Sequence, residues 1–229
     1  MGRLRKICVG ILLLCLPLLA KGQHQFAALL PMPNELRIGM GNLQVPSEVA
    51  VKSNVPQGSI CLSVLKDILQ ERMGVSVTEV GGSPCFELRI NPLLPNREHY
   101  RVHVGTQGVL FEGATDGAVF YALQTFDQLL LGDVCATAHR QIKSVRIDDS
   151  PRFGYRALML DPARHFLPVS DVKHFIDWMA RFKYNVLQLH LTDDQGWRME
   201  IKTYPQLVQK GAFRKEGGGA DGPDNGYYT

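Results

Sequence analysis

The chain has 229 residues, 45% of them hydrophobic, with 25 Lys and Arg against 22 Asp and Glu. Its formal charge of +3 belongs to the first 22 residues: Arg3, Arg5, Lys6 and Lys21 have no acidic counterpart there, and the remainder carries 21 basic against 22 acidic side chains. A balance near −1 gives no reason to expect nucleic acid or an anionic membrane surface as a partner, and the remaining length suffices for one good core plus part of another.

Residues 1–22 read as a targeting segment. A basic start precedes an almost unbroken apolar run, Ile7 to Ala20, and Ala20-Lys21-Gly22 offers small residues flanking a cut before Gln23. The run is short for a membrane span, so the expected location is periplasmic or extracellular. Leu12-Leu13-Leu14 before Cys15 lacks the small residues of a lipoprotein signal, and anchoring is not expected. Cys61, Cys85 and Cys135 remain after cleavage. An exported location permits one disulfide, spacing does not choose the pair, and isolated apolar thiols are the alternative. No Cys-x-x-Cys or Cys/His cluster suggests a metal, and no cofactor is expected.

Residues 23–149 read as a small α+β domain. Pro56-Gln57-Gly58 introduces a helix with Ile60, Val64, Leu65, Ile68 and Leu69 at helical spacing, and Gly74 stops it. Val75 to Val80, Phe86 to Ile90, Tyr100 to Val104 and Val109 to Glu112 are strand candidates. Asp116 to Leu131 is a second helix, capped by Thr115, with Ala118, Tyr121, Ala122, Phe126, Leu129 and Leu130 on one broad face and Gly132 closing it. Strands followed by a helix suggest an antiparallel or mixed sheet with helices on one side. Nothing in this domain gathers acids, bases and nucleophiles, so it reads as a supporting domain, with carbohydrate binding as the alternative.

Asp148-Asp149-Ser150-Pro151 is a polar joint and a natural boundary, leaving 150–229 as the second domain. Arg156 to Leu160 is a short apolar strand. Pro168 and Ser170 start a helix, with Ser170 as its expected cap; Val172, Phe175, Ile176, Met179 and Phe182 share one face of it, and Val186 to Leu191 is a second strand. Strand–helix–strand is the parallel unit of an open sheet or of a TIM-type (β/α)8 barrel, and in both the site groups project from the carboxyl ends of strands. Those ends carry Asp161 to Arg164 and Asp193-Asp194.

An arginine fork donates to neighbouring hydroxyls and a carboxylate accepts from others, which suits a sugar, a carboxylate or a phosphate. The structural alternatives stand beside this. Arg164 is either a ligand-gripping cation or a salt bridge to Asp161 or Asp193, and Asp194 is a loop-orienting acid or a ligand. His190 and His165 are core or functional. Trp197 stacks on a sugar or packs under a loop, and Trp178 reads as packing.

RALMLDPARHF followed by HLTDDQGWR resembles the start of the catalytic barrel in glycoside hydrolase family 20, the β-N-acetylhexosaminidases. GVLFEGATDGAVFYALQTFDQLL resembles the end of that family's small α/β domain, and the agreement runs from about Pro31 to Thr229. The resemblance implies release of terminal N-acetylglucosamine or N-acetylgalactosamine from glycans, without metal or organic cofactor. The implied mechanism is substrate-assisted and retaining: the 2-acetamido oxygen attacks the anomeric carbon, and an adjacent Asp-Glu pair supplies the acid and the acetamido holder. By position Arg164 matches the arginine that grips sugar hydroxyls, and Asp193 an acid beside the catalytic centre.

The chain departs from that pattern. No Glu is preceded by Asp, and the barrel portion holds only Glu200 and Glu216. The Asp-Glu pair is therefore expected beyond Thr229, the chain reads as an N-terminal fragment, and the Gly-rich tail would lead to a helix capped by Thr229. Residues 151–229 alone should expose apolar strand edges and a helix face. Another glycosidase family sharing the front domain is the runner-up among enzymes. A catalytically silent truncated protein with weak glycan binding is the alternative of a different class.

Overall fold

The computed structural model describes residues 29–78, 85–132, 140–214 and 225–229. The chain divides into two compact units, Met1–Arg152 and Phe153–Thr229. The leader expected over 1–22, with Cys15, lies outside the described residues, as do Cys135, Glu216 and most of the Gly-rich tail.

The first unit is built on a seven-stranded sheet. Its strands are β1 (Glu35–Gln44), β2 (Glu48–Ser53), β3 (Ser76–Thr78), β4 (Cys85–Ile90), β5 (Tyr100–Val104), β6 (Gly108–Gly113) and β7 (Gln141–Asp149), in the order β1-β7-β5-β6-β4-β2-β3. β3, β2, β4 and β6 run parallel, while β6–β5, β5–β7 and β7–β1 are antiparallel. The sheet is therefore mixed. The period of two puts Phe86, Leu88, Val102, Val104, Val109, Phe111, Val145 and Ile147 on one buried face.

Two helices, α1 (Cys61–Met73) and α2 (Asp116–Gly132), share that core. Thr115 caps α2 as its sequence predicts, its hydroxyl accepting the Ala118 amide at 3.2 Å. Gly74 ends α1 in the left-handed region (φ 61°), its amide donating to Gln70 O at 3.0 Å. Arg72 in the last turn of α1 forks onto Asp127 of α2 at 2.7 and 3.3 Å. Phe126 sits edge-on to Phe111 (5.0 Å) and Phe86 (6.3 Å) at the centre of the core.

The opposite sheet face carries a row of alternating charge. Glu112 pairs with Arg89 on one side and Arg101 on the other, and Arg101 also meets Asp148 at 2.6 Å.

Some expectations need correction. Ile60 precedes α1 and is exposed, because the helix begins one residue later. The strand expected over Val75–Val80 is confined to Ser76–Thr78 among the described residues. β1, β2 and β7 were not anticipated. Cys61 is a free, buried thiol beside Asp116, its Sγ 3.4 Å from the carboxylate, which leaves it out of any disulfide.

In the second unit β8 (Ala157–Leu160) and β9 (Val186–Leu189) pair in parallel, Ala157 with Val186 through Leu160 with Leu189, joined by α3 (Val169–Arg181). This is the strand–helix–strand unit expected of a barrel start. The chain continues through a tight hairpin, β10 (Thr192–Asp193) with β11 (Gly196–Trp197), to a short α4 (Gln206–Gly211). Ser170 does not cap α3. Pro168 occupies the cap position in an extended conformation (φ −55°, ψ 151°) and the helix begins at Val169, so Ser170 lies inside the first turn. Of the apolar row on α3 only Met179 is buried, and Ile176, Met159 and Leu189 remain substantially exposed. Tyr228 bridges Met199 in parallel, with its amide donating to Arg198 O at 2.7 Å.

Candidate functional site

The parallel register of β8 and β9 sets their carboxyl ends side by side, and pairing persists one step further. His190 N–H donates to Leu160 O at 2.9 Å, and Ala163 N–H to His190 O at 3.1 Å. The loop holding Arg164 therefore runs against the segment holding Asp193. His190 lies just past β9 rather than within it.

Arg164 is held from both ends. Its amide donates to Asp161 Oδ1 at 3.2 Å, closing a local turn. Its guanidinium donates to Asp161 Oδ2 through Nη1 (2.7 Å) and to Gln195 Oε1 through Nε (3.0 Å), and its Nη2 forms an ion pair with Asp193 Oδ2 at 2.9 Å. Of five N–H donors, two are hydrogen-bonded among the described residues and three remain on the two terminal nitrogens, of a side chain 43% exposed. Asp193 Oδ2 also lies 2.7 Å from His190 Nε2, and Asp193 Oδ1 accepts the Asp194 amide at 2.8 Å.

These contacts settle the charges. The Asp194 amide, then His190, and the Arg164 charge beside them hold the Asp193 carboxyl down to about 2. For Asp161 partial burial pushes upward, but the side-chain and backbone hydrogen bonds from Arg164 outweigh it and leave the carboxyl below its usual range. The bond to Asp161 raises Arg164 further above its usual value, against the opposing effect of burial. Near neutral pH the cluster is a fixed cation between two carboxylates. It can grip hydroxyls, and neither carboxyl can act there as a proton donor.

The salt bridge and the gripping cation are thus not exclusive: Arg164 pairs with Asp161 and Asp193 and, among the described residues, keeps donors on both terminal nitrogens. Asp194 contributes its amide to Asp193. His165 is exposed. Trp197 packs, its indole N–H donating to Met199 O at 2.6 Å while a Cβ on Gly211 of α4 would lie 2.9 Å from its own Cβ. Trp178 stacks on Phe182 at 5.9 Å and 10°. Glu200 is exposed.

Sequence reasoning missed Arg198. It is fully buried and donates to four backbone carbonyls: Pro162 (2.9 Å), Ala163 (3.3 Å), Ala212 (2.8 Å) and Gly226 (3.2 Å). Arg214 donates to the carbonyl of Arg164 itself. Gly196 is needed for this packing, since a Cβ there would lie 2.7 Å from both Ala163 O and Arg198 Cζ. Only the glycine of QGWR hinted at such an approach.

Two family models divide the chain between them. "Glycosyl hydrolase family 20, domain 2" matches residues 27–150, and "Glycosyl hydrolase family 20, catalytic domain" matches residues 153–229. The chain belongs to glycosyl hydrolase family 20. A β-hexosaminidase of Porphyromonas gingivalis is 34% identical over 210 residues, spanning 88% of this chain and 27% of that protein. One from Akkermansia muciniphila is 44% identical over 131 residues, 57% of this chain and 26% of that protein. Among solved structures, the Streptomyces plicatus N-acetyl-β-hexosaminidase bound to Thio-NAglucal superposes with TM-score 0.75 at 32% identity, covering 89% of this chain and 41% of that one. A Vibrio harveyi family 20 exo-β-N-acetylglucosaminidase gives 0.72 at 30%, covering 90% and 31%. The family 20 neighbours are TIM-barrel enzymes, and the present chain covers only part of each.

Proposed function

We propose that this chain belongs to an exported β-N-acetylhexosaminidase and supplies the groups that grip the terminal N-acetylglucosamine or N-acetylgalactosamine of a glycan. The observation that carries the reading is the Arg164 guanidinium, fixed by Asp161, Asp193 and Gln195 at the carboxyl ends of two parallel strands with N–H donors left on both terminal nitrogens among the described residues. Those donors meet adjacent hydroxyls of the terminal sugar as charge-assisted bonds. Asp193, ionised at every functional pH, holds the arginine and His190 and adds negative charge beside the reacting centre.

On this reading hydrolysis is substrate-assisted. The acetamido oxygen forms a bond to the anomeric carbon as the glycosidic oxygen departs with a proton from a glutamate. Water then opens the oxazolinium, giving its proton back to that carboxylate, with net retention. The Asp-Glu pair lies on this reading in sequence following Thr229, because no Glu of this chain is preceded by Asp. Residues 1–22 direct export, 23–149 form the supporting domain and 150–229 begin the barrel.

The test uses the protein expressed from the complete reading frame containing this sequence, with 4-nitrophenyl N-acetyl-β-D-glucosaminide. Arg164→Ala removes two charge-assisted hydrogen bonds and should lower kcat/KM by about 100-fold or more, at ~1.5–3 kcal/mol per bond. Unchanged kcat/KM in the folded variant would sink the reading, as would absence of hydrolysis by the unsubstituted protein.

A further inference from the structure

We infer that Arg198, assisted by Arg214, is a positioning residue that fixes the loop carrying Arg164 and thereby sets the grip on the terminal sugar. The inference rests on the reading of Arg164 proposed above.

Three consecutive carbonyl oxygens of that loop are each taken by a guanidinium from later in the chain. Arg198 Nε holds Pro162 O at 2.9 Å, Arg198 Nη2 holds Ala163 O at 3.3 Å, and Arg214 Nη2 holds Arg164 O. A carbonyl fixed in direction fixes its peptide plane, and three successive fixed planes leave the backbone torsions of Ala163 and Arg164 no freedom. The side chain of Arg164 is constrained separately at its far end by Asp161, Gln195 and Asp193. The donors left on its terminal nitrogens therefore point one way.

Arg198 is itself immobile. It has no exposed surface, its other terminal nitrogen holds Ala212 O and Gly226 O, its Cζ lies 5.8 Å from the Phe166 ring centroid, and Gly196 packs directly against it. The same guanidinium thus joins the end of β8, the end of α4 and the strand around Tyr228. A planar fork of five donors can do this. A lysine, with a single ammonium, cannot reach carbonyls on opposite sides. The pocket-like surface at Asn54 and Asn91 in the first unit offers no comparable case, because its amides are already bonded to Ile90 and Glu112.

A double-mutant cycle in the protein from the complete reading frame tests this, again with 4-nitrophenyl N-acetyl-β-D-glucosaminide. Arg198→Met should lower kcat/KM by about ten-fold or more, chiefly through KM, since displacing a positioned group by a fraction of an ångström carries costs of that order. In the Arg164→Ala background the same change should cost less than about two-fold, because there is no longer a guanidinium to aim. Arg214→Gln, which leaves the buried Arg198 in place, should show the same non-additivity and decides the matter alone if Arg198→Met is not recovered folded. Equal losses in both backgrounds overturn the inference while leaving Arg164 as a gripping residue. Unchanged kcat/KM in Arg164→Ala overturns the reading beneath it and this inference together.

Discussion

Gly196→Ala is the sharpest single-atom-group test of the packing around Arg198. An ordinary contact for the new methyl begins near 3.4 Å, yet the methyl would stand 2.7 Å from Ala163 O and 2.7 Å from Arg198 Cζ. About 0.7 Å of movement must come from a backbone carbonyl or from a buried guanidinium. Forcing a methyl into a packed site costs ~1–3 kcal/mol. Releasing the Arg198 bond to Pro162 instead costs a similar ~1.5–3 kcal/mol, so the cheaper route still leaves about 2 kcal/mol. The chain's two tryptophans, Trp178 and Trp197, both lie in the second unit, so their emission follows this region during urea unfolding. With a slope of about 1–2 kcal/mol/M the midpoint should fall by about 1–2 M. Gly154→Ala is the control: it lies in the same unit, its new methyl would meet nothing within 4 Å, and it should shift the midpoint by no more than about 0.3 M. Indistinguishable midpoints for the two variants would refute the claimed closeness of hairpin, loop and guanidinium.

Asp193, with its carboxyl down at about 2, contributes stability that is present above the ordinary carboxyl range near 3.8 and is lost as pH falls from there toward 2. Carbon-detected NMR of the aspartate carboxyls should find it titrating last among them, and a midpoint near 3.8 would show that the bonds from the Asp194 amide and His190 are not formed. Phe126→Ala opens a void between Phe86 and Phe111 and should cost ~3–5 kcal/mol, read as faster amide exchange across β4 and β6; an exchange profile like that of the parent contradicts the packing. Cys61, whose thiol burial pushes up to about 11, should resist labelling at pH 8 in the folded protein and react fully in urea, with peptide mapping as the readout. Rapid native labelling would count against its burial.

Local signals carried much of this architecture. The helix over 116–132 announces itself through the Thr115 cap and the broad apolar face, and β4, β5 and β6 follow from short runs of alternating residues. The Asp161–Arg164 and Asp193 clusters were legible because parallel strands bring their carboxyl ends together whatever lies between them. The misses arise where partners are remote in sequence. β1 is an edge strand, mostly exposed, whose register shifts between Ile38 and Asn42 and whose partner lies about a hundred residues later, so its sequence has no clean period. Ser170 looked like a cap because it has a capping side chain, but the helix already begins at Val169 with Pro168 in the cap position. Arg198 had no local mark, since a guanidinium serving carbonyls from three segments depends on contacts that only the folded chain creates.

The row Arg89, Glu112, Arg101, Asp148 has a consequence for how the sheet chooses its pairing. Arg101 and Asp148 are substantially exposed at 44% and 38%, so that pair adds under about 1 kcal/mol to the native state. Their value lies in discrimination. If β5 slid two residues along β6, every apolar side chain would stay on its proper face, but Arg101 would face Leu110 and two ion pairs would vanish together. The charges therefore act as a proofreading line for strand alignment, one that the oily face cannot provide because a two-residue slip is invisible to it. Concentrated salt during refolding mutes that line, and misaligned sheets are then rejected less firmly, even though the finished fold hardly notices the same salt.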